Sequence, residues 1–295
     1  MEHIIAFPED TPNYLDALQD LVTPSTTYVG IEKDAVSLEQ AEYIRRLSND
    51  NCQFVDVREL TSKLRTVKSE HEIAVLKKAA DIASRAMEKI QEAVRPGVSE
   101  AELSGWAEYL MNEACAEGSS FEPFFMSGEN AWLPQRVSSQ KTLREGEMAL
   151  FDMGAIYEGY CSDTTRTFAV GKVTPKQREL FQVAREAQQA AIEAVRPGEL
   201  ASKVDAAART VIERAGYGDF FPHLTGHGVG LSIHEAPIID EGEGMVLQKG
   251  MVVTVEPGIY LPGVGGARIE DMVVVTDSGC EVLTSAPRGL TREEG

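Results

Sequence analysis

The chain has 295 residues, which at roughly 150 residues per domain make one large domain or two smaller ones and suffice for a sizeable core. Lysines and arginines number 28 against 47 aspartates and glutamates, and the net charge of -19 repels a phosphate backbone, which argues against a nucleic-acid partner. Four cysteines, at 52, 115, 161 and 280 with no CxxC pair, fit neither a disulfide scaffold nor a zinc ribbon and read as reduced thiols in a cytosolic protein.

The opening residues, MEHIIAFPEDTPNY, carry acids and prolines where a signal peptide needs a basic start and an apolar run. No stretch approaches the roughly 18 apolar residues of a membrane span, so a soluble, cytoplasmic protein with no membrane partner is expected. Residues 1 to about 60 alternate the apolar runs HIIAF, TYVGI and CQFVDV with one amphipathic segment, SLEQAEYIRRLSND. That order predicts strand, strand, helix, strand, a small α/β unit. From Ser69 the character changes. Ser69 and Glu72 form a capping box, and Ile73, Leu76, Ala79, Ala80, Ala83, Ala86, Met87 and Ile90 keep helical spacing up to Arg95-Pro96-Gly97. Ser99 and Glu102 make a second box, whose helix is expected to stop at Gly118. Thr174 with Gln177, and Pro175 at the first helical position, start a third.

Internal similarity organises the rest. Residues 93–97 and 194–198 both read AVRPG, each ending an alanine-rich helix and followed by a second helix that ends near a glycine, Gly118 or Gly216. A β-rich stretch follows each pair, GEMALFDMGAIYEGY or GMVVTVEPGIY, in which Gly146, Asp152 and Gly154 match Gly250, Glu256 and Gly258 at an offset of 104 residues. Residues from about 70 to 285 therefore read as two halves related by a pseudo-two-fold. The expected class is α+β, two helix pairs over a curved, mainly antiparallel sheet.

The chemistry sits where the halves match. In FDMGAIYEGYCSDTTRTF, Asp152 and Asp163 fall on two strands of a hairpin joined at Glu158-Gly159; in VVTVEPGIY and GGARIEDMVVV, Glu256 and Glu270 repeat the plan. Any one of these acids is explained as well by a turn cap or by pairing with Arg166 or Arg268. Four at symmetry-matched places are not, because two arginines do not balance four buried acids. Between the halves lies FPHLTGHGVGLSIHEAP, holding His223, His227 and His234, whereas His3 and His71 read as solvated. Gly226, Gly228 and Gly230 leave bare backbone around His227, which suits close approach of a ligand or metal, or else packing alone. Two Asp, two Glu and one His suffice for two divalent ions, with hard oxygen donors favouring Mn²⁺, Co²⁺ or Fe²⁺ and compatible with Zn²⁺. Such a pair, about 3.5 to 4 Å apart, holds a bridging water of lowered pKa and polarises a carbonyl or phosphoryl oxygen, which is hydrolytic machinery.

These motifs, FDMGAIYEGYCSDTTRTF, HLTGHGVGLSIHE, VEPGIY and GARIED, resemble the pita-bread metallopeptidases, and most of all their proline-specific branch of Xaa-Pro dipeptidases (prolidases) and aminopeptidases. The resemblance runs from about Thr66 to the C-terminus, so it implies a shortened α/β N-terminal domain over 1–65 and a pita-bread catalytic domain over 66–295. It implies a metallo-exopeptidase that cleaves the Xaa-Pro bond of short peptides, with two divalent ions, Mn²⁺ foremost, and a homodimer. The ligands it implies are Asp152, Asp163, His227, Glu256 and Glu270, with Asp163 and Glu270 bridging. Glu256 would shuttle the proton, His234 would hydrogen-bond the scissile carbonyl, His223 would line the proline subsite, and Arg268 would position substrate or an acid. Two departures stand out. Gln135, in MSGENAWLPQRVSSQ, occupies the place of a family histidine, and the branch's N-terminal domain is roughly twice as long as the segment here. Two alternatives stay open: a hydrolase of a small non-peptide C–N bond on the same scaffold, and a non-catalytic binding module.

Overall fold

The computed structural model describes residues 18–19, 21–49 and 51–294. The expected strand HIIAF and His3 lie outside the described residues. The chain divides into two compact units, Met1–Leu64 and Arg65–Gly295. In the first, β1 (Tyr28–Ile31) pairs in parallel with β2 (Gln53–Asp56), and α1 (Leu38–Leu47) lies between them in sequence, begun by Ser37 and Gln40 as a reciprocal capping box. A further helix, α2 (Arg58–Thr66), follows β2.

The second unit is built twice. α3 (Glu70–Ala93) and α4 (Glu100–Glu113) start at the expected capping boxes of Ser69 and Ser99, and they precede β3 (Gly118–Ser119), β4 (Phe124–Ser127), β5 (Met148–Met153), β6 (Ala155–Tyr157), β7 (Tyr160–Cys161) and β8 (Thr164–Ala169). α5 (Pro175–Ala194), capped by Thr174 and Gln177 with Pro175 in its first turn, and α6 (Ala201–Arg214) open the second half. Its strands are β9 (Gly226–Gly228), β10 (Glu235–Ile239), β11 (Val252–Val255), β12 (Gly258–Leu261), β13 (Gly265–Arg268), β14 (Asp271–Val275) and β15 (Cys280–Val282).

Backbone detail obeys the repeat. Gly97 and Gly198 have φ of 93° and 86°, a conformation that costs a residue with a Cβ, and Gly146 and Gly250 match at 85° and 86°. After each helix pair's first member, the chain bonds to the matching residue downstream: Gly97 N–H to Leu143 O at 2.9 Å, Gly198 N–H to Leu247 O at 2.8 Å. One expectation fails. α4 ends at Glu113, not at Gly118, because Cys115 itself takes a positive φ, 71°, as Gly216 does after α6 at 84°.

The strands of the second unit pair antiparallel in four groups, β4-β5-β8, β3-β6-β7, β10-β9-β11-β14-β15 and β12-β13. α3 and α4 bury Met87, Ile90, Leu103 and Met111 with Phe125, Phe151 and Phe168; α5 and α6 bury Leu180, Phe181, Val204 and Ile212 with Val253, Ile259 and Val273. Truncating any one large aliphatic member to Ala would cost about 2–5 kcal/mol. These two cores fix the sheet ends from which the polar site projects.

Candidate metal centre

Register places the acids. β5 and β8 pair with Asp152 opposite Thr165, and the β6–β7 hairpin between them turns at Glu158 and Gly159, whose φ values of 47° and 78° suit a two-residue loop. β11 and β14 pair with Val255 opposite Asp271, so Glu256, just after β11, and Glu270, just before β14, come opposite each other at the ladder's end. The halves are then joined by side chains. Thr165 accepts the Glu270 N–H on its carbonyl at 3.1 Å and donates its hydroxyl to Glu270 Oε2 at 2.7 Å; Thr167 Oγ1 bonds both the carbonyl and the N–H of Arg268.

Asp163, His227 and Glu270 each bring one ligand atom within 4.8 Å of the others, and all three are buried. His227 Nδ1 donates to the Gly228 carbonyl at 3.0 Å, which aims Nε2 at Asp163 Oδ2 at 3.4 Å and Glu256 Oε1 at 3.3 Å. Glu256 also accepts from Thr254 Oγ1 at 3.1 Å, and that hydroxyl accepts the His227 N–H at 3.0 Å. Asp152 is turned onto the buried Arg268, which also donates to Thr165, to the Tyr260 hydroxyl and to the Pro134 carbonyl.

Burial dominates the electrostatics. It pushes Asp152 up to about 8, with the Asp163 and Glu256 charges adding and Arg268 opposing. Asp163 is raised and Glu270 raised well above the usual carboxylate range, again by burial first and by neighbouring acids second. For Glu256 burial is outweighed by the bond and charge of His227 and by Arg268 and His223, which hold it down to about 2. His227 is correspondingly raised well above its ordinary value by Asp163 and Glu256 against burial.

Among the described residues, two buried side-chain oxygens, Asp152 Oδ1 and Glu270 Oε1, have no hydrogen-bond partner. A buried carboxylate oxygen without a donor is costly, and both belong to a set of hard oxygen donors with one imidazole. Those residues fit a pair of divalent cations. The arginines do not replace such ions: Arg166 is committed to Asp271 and Arg268 to Asp152.

The site opens into a cleft of about 330 Å³ lined by Phe121, Phe124, Leu224 and Ile233 besides Gln135, His223, His234 and the acids. The His234 ring lies 4.3 Å from that of His227, and burial lowers its pKa, as does the His227 charge. His223 bonds the Tyr260 hydroxyl through Nε2 at 2.9 Å, and burial with the Arg268 charge pulls it down to about 4, so it is neutral at pH 7. The expected site residues thus line one cleft, except Glu270, which lies buried beside Asp163 and His227. The glycines around His227 do a different job from ligand approach: a Cβ on Gly226 would lie 2.0 Å from the Thr254 carbonyl oxygen and one on Gly228 2.2 Å from that of Ala236. They let β9 pack between its neighbours. Sequence reasoning missed Tyr260, Thr254 and Thr165, and the VEPGIY motif contained Tyr260 without any spacing to single it out.

The model of metallopeptidase family M24 matches residues 74–277. The chain belongs to this family. An Xaa-Pro dipeptidase of Pyrococcus furiosus is 40% identical over 269 residues, 91% of this chain and 77% of the relative. Among solved structures, an Xaa-Pro dipeptidase from Bacillus anthracis superposes with a TM-score of 0.87 at 40% identity, covering 94% of this chain and 76% of that one. An X-Pro aminopeptidase from Thermotoga maritima does so with a TM-score of 0.85 at 35% identity, over 93% and 77% of the two chains. The two matched halves are the pita-bread fold of the family's peptidases.

Proposed function

We propose that the chain is a metallo-exopeptidase of the Xaa-Pro type, with residues 66–295 as its catalytic domain and 1–65 as a partial α/β domain. The observation that carries this reading is the pair of buried oxygens, Asp152 Oδ1 and Glu270 Oε1, without a hydrogen-bond partner among the described residues, in the cluster of acids around His227. Asp152, Asp163, His227, Glu256 and Glu270 would hold two divalent ions, Mn²⁺ first and Co²⁺, Fe²⁺ or Zn²⁺ as substitutes. Bound there, such ions supply Lewis acidity towards the scissile carbonyl and a water acidified towards neutrality.

The chain's own groups do the rest. Glu256, in the ligand cluster beside His227, would accept the proton and return it to the leaving nitrogen. His234, at the cleft wall beside His227, donates to the oxygen on which negative charge develops. Neutral His223, packed edge-on against Phe221 at 5.0 Å and Tyr260 at 5.4 Å, offers an uncharged wall for a pyrrolidine ring. Arg268 fixes Asp152 by a charge-assisted bond. A homodimer acting in the cytoplasm on short peptides completes the reading. Release of proline from Ala-Pro and its lengthened analogues by manganese-loaded protein tests it, and absence of release across the panel contradicts it. Gln135 on the cleft wall favours one second reading, a small non-peptide C–N substrate, since the resemblance implies histidine there. Gln135→His should then raise Xaa-Pro cleavage, and an unchanged rate counts against this alternative.

A further inference from the structure

One wall of the cleft is supplied by the segment between Ser127 and Ser139, which carries Pro134 and Gln135. It has little regular structure, a short 3-10 turn at Gly128–Trp132, then a bend at Leu133 and Pro134 and irregular chain. Such a segment would ordinarily be mobile. Both of its ends meet one carboxylate. Glu100, the first residue of α4 and 1% exposed, accepts at Oε1 from the Ser127 N–H at 2.8 Å, the Ser127 hydroxyl at 2.9 Å and Asn130 Nδ2 at 3.0 Å. At Oε2 it accepts from Asn130 Nδ2 at 2.8 Å, the Ser139 N–H at 3.2 Å and the Ser139 hydroxyl at 2.6 Å.

Every one of these donors is neutral. The Lys141 ammonium donates to Ser127 Oγ at 2.8 Å while paired with Glu147 at 2.7 Å, and the Lys141 N–H donates to Ser139 Oγ at 3.2 Å. A buried carboxylate is expensive unless its lone pairs are filled, and a neutral residue of the same size would accept fewer bonds. The helix N-terminus under Glu100 adds a favourable field. The carboxylate therefore gathers six hydrogen bonds from two separated points of chain, which are also linked directly by Asn130 Nδ2 donating to Ser139 Oγ at 3.2 Å. What lies between them is packed without slack: a Cβ on Gly266, in β13, would sit 2.0 Å from the Ala131 carbonyl oxygen, and the Pro134 carbonyl accepts from Arg268 Nη1 at 2.8 Å. Arg268 is the residue that holds Asp152.

We propose that Glu100 is a positioning residue for substrate binding: by clamping Ser127, Asn130 and Ser139 it fixes the wall formed by Pro134 and Gln135 against the metal-ligand cluster. As a role in the reaction this rests on the Xaa-Pro peptidase reading above; as a statement about the wall it does not. Replacing the carboxylate by an amide leaves one acceptor atom for donors that now fill two, so the wall loosens while Asp152 on β5, Asp163 just before β8 and Glu256 just after β11 keep their own supports.

The test compares wild type, Glu100→Gln and the milder Ser139→Ala, all full-length and manganese-loaded. In Glu100→Gln the amides of residues 128–138 should exchange hydrogen at least about tenfold faster, with those of β5 and β8 unchanged, and KM for Xaa-Pro dipeptides should rise about tenfold or more with a smaller change in kcat. Manganese bound per chain should equal that of wild type. Ser139→Ala should shift both readouts in the same direction by less, and it decides the matter if Glu100→Gln does not fold. Wild-type exchange in 128–138, or faster exchange spread evenly over the chain, overturns the inference. If wild type cleaves no Xaa-Pro peptide, the peptidase reading falls and the exchange comparison still decides whether Glu100 fixes the wall.

Discussion

Loading the site with a cation has to displace protons, and Asp152 sets a scale for the effect. Burial and neighbouring acids raise its pKa from 3.8 to about 8 in the folded chain. Between those values the folded protein holds a proton that the unfolded chain does not. The stability this proton contributes is complete below 3.8 and is lost as the pH rises through about 8. At about 1.4 kcal/mol per unit, raising the pH from 6 to 8 removes about 2 kcal/mol from protein stripped with a chelator, on the order of 4–8 °C in Tm for a domain of this size. Asp163, Glu270 and His227 are shifted upward too and act with the same sign, whereas Glu256, already ionised above about 2, adds nothing in this range. Metal-bound ligands stay ionised throughout. The Tm difference between manganese-loaded and stripped protein should therefore widen by at least that amount from pH 6 to 8. Thermal denaturation at pH 6, 7 and 8 measures it, and titration calorimetry in two buffers counts the released protons. A difference that stays constant or narrows, with no proton release at pH 6.5, would refute the assignment of these groups.

Asp163→Ala and Glu270→Ala should each abolish both turnover and metal loading, measured by peptide assay and elemental analysis; a variant that loses the metal yet keeps full rate contradicts the mechanism. Gly226→Ala drives a Cβ against the Thr254 carbonyl and should destabilise by about 1–3 kcal/mol, visible as a lowered urea midpoint, whereas an unchanged midpoint would show that β9 has room to spare. Thr254→Val strands the His227 N–H and frees Glu256 from one donor. It should cost about 1–3 kcal/mol of stability and move the acid limb of the pH–rate profile upward; a profile identical to wild type argues that Thr254 does not support Glu256.

The candidate metal ligands stand out in the sequence because they violate the patterns around them. An acid inside LFDMG or VVTVEP interrupts an apolar strand, and the 104-residue offset made the violation symmetric. The helix starts were legible for a local reason, since a capping box spans only four residues. What stayed hidden depends on register and on close packing. Asp271, beside Glu270, gave no hint that it collects Arg166, Gln188, Thr284 and Arg288 behind the site, because those partners come from three other regions of chain. No spacing singles out Glu100, beside the Ser99 cap, as the acceptor of donors from residues 127–139. The glycines of GHGVG read as access for a ligand, since a sequence carries no record of the Thr254 and Ala236 carbonyls that press on them.

The central claim is that five named side chains hold two ions that hydrolyse the bond before proline. Metal content of the purified protein, measured beside proline release from a panel of Xaa-Pro dipeptides and tripeptides with and without added Mn²⁺, tests it in one experiment. The account predicts two equivalents of divalent metal and release that disappears on chelation and returns with Mn²⁺. Protein that carries no metal and gains none on addition of Mn²⁺, or that releases proline equally well after chelation, would contradict it.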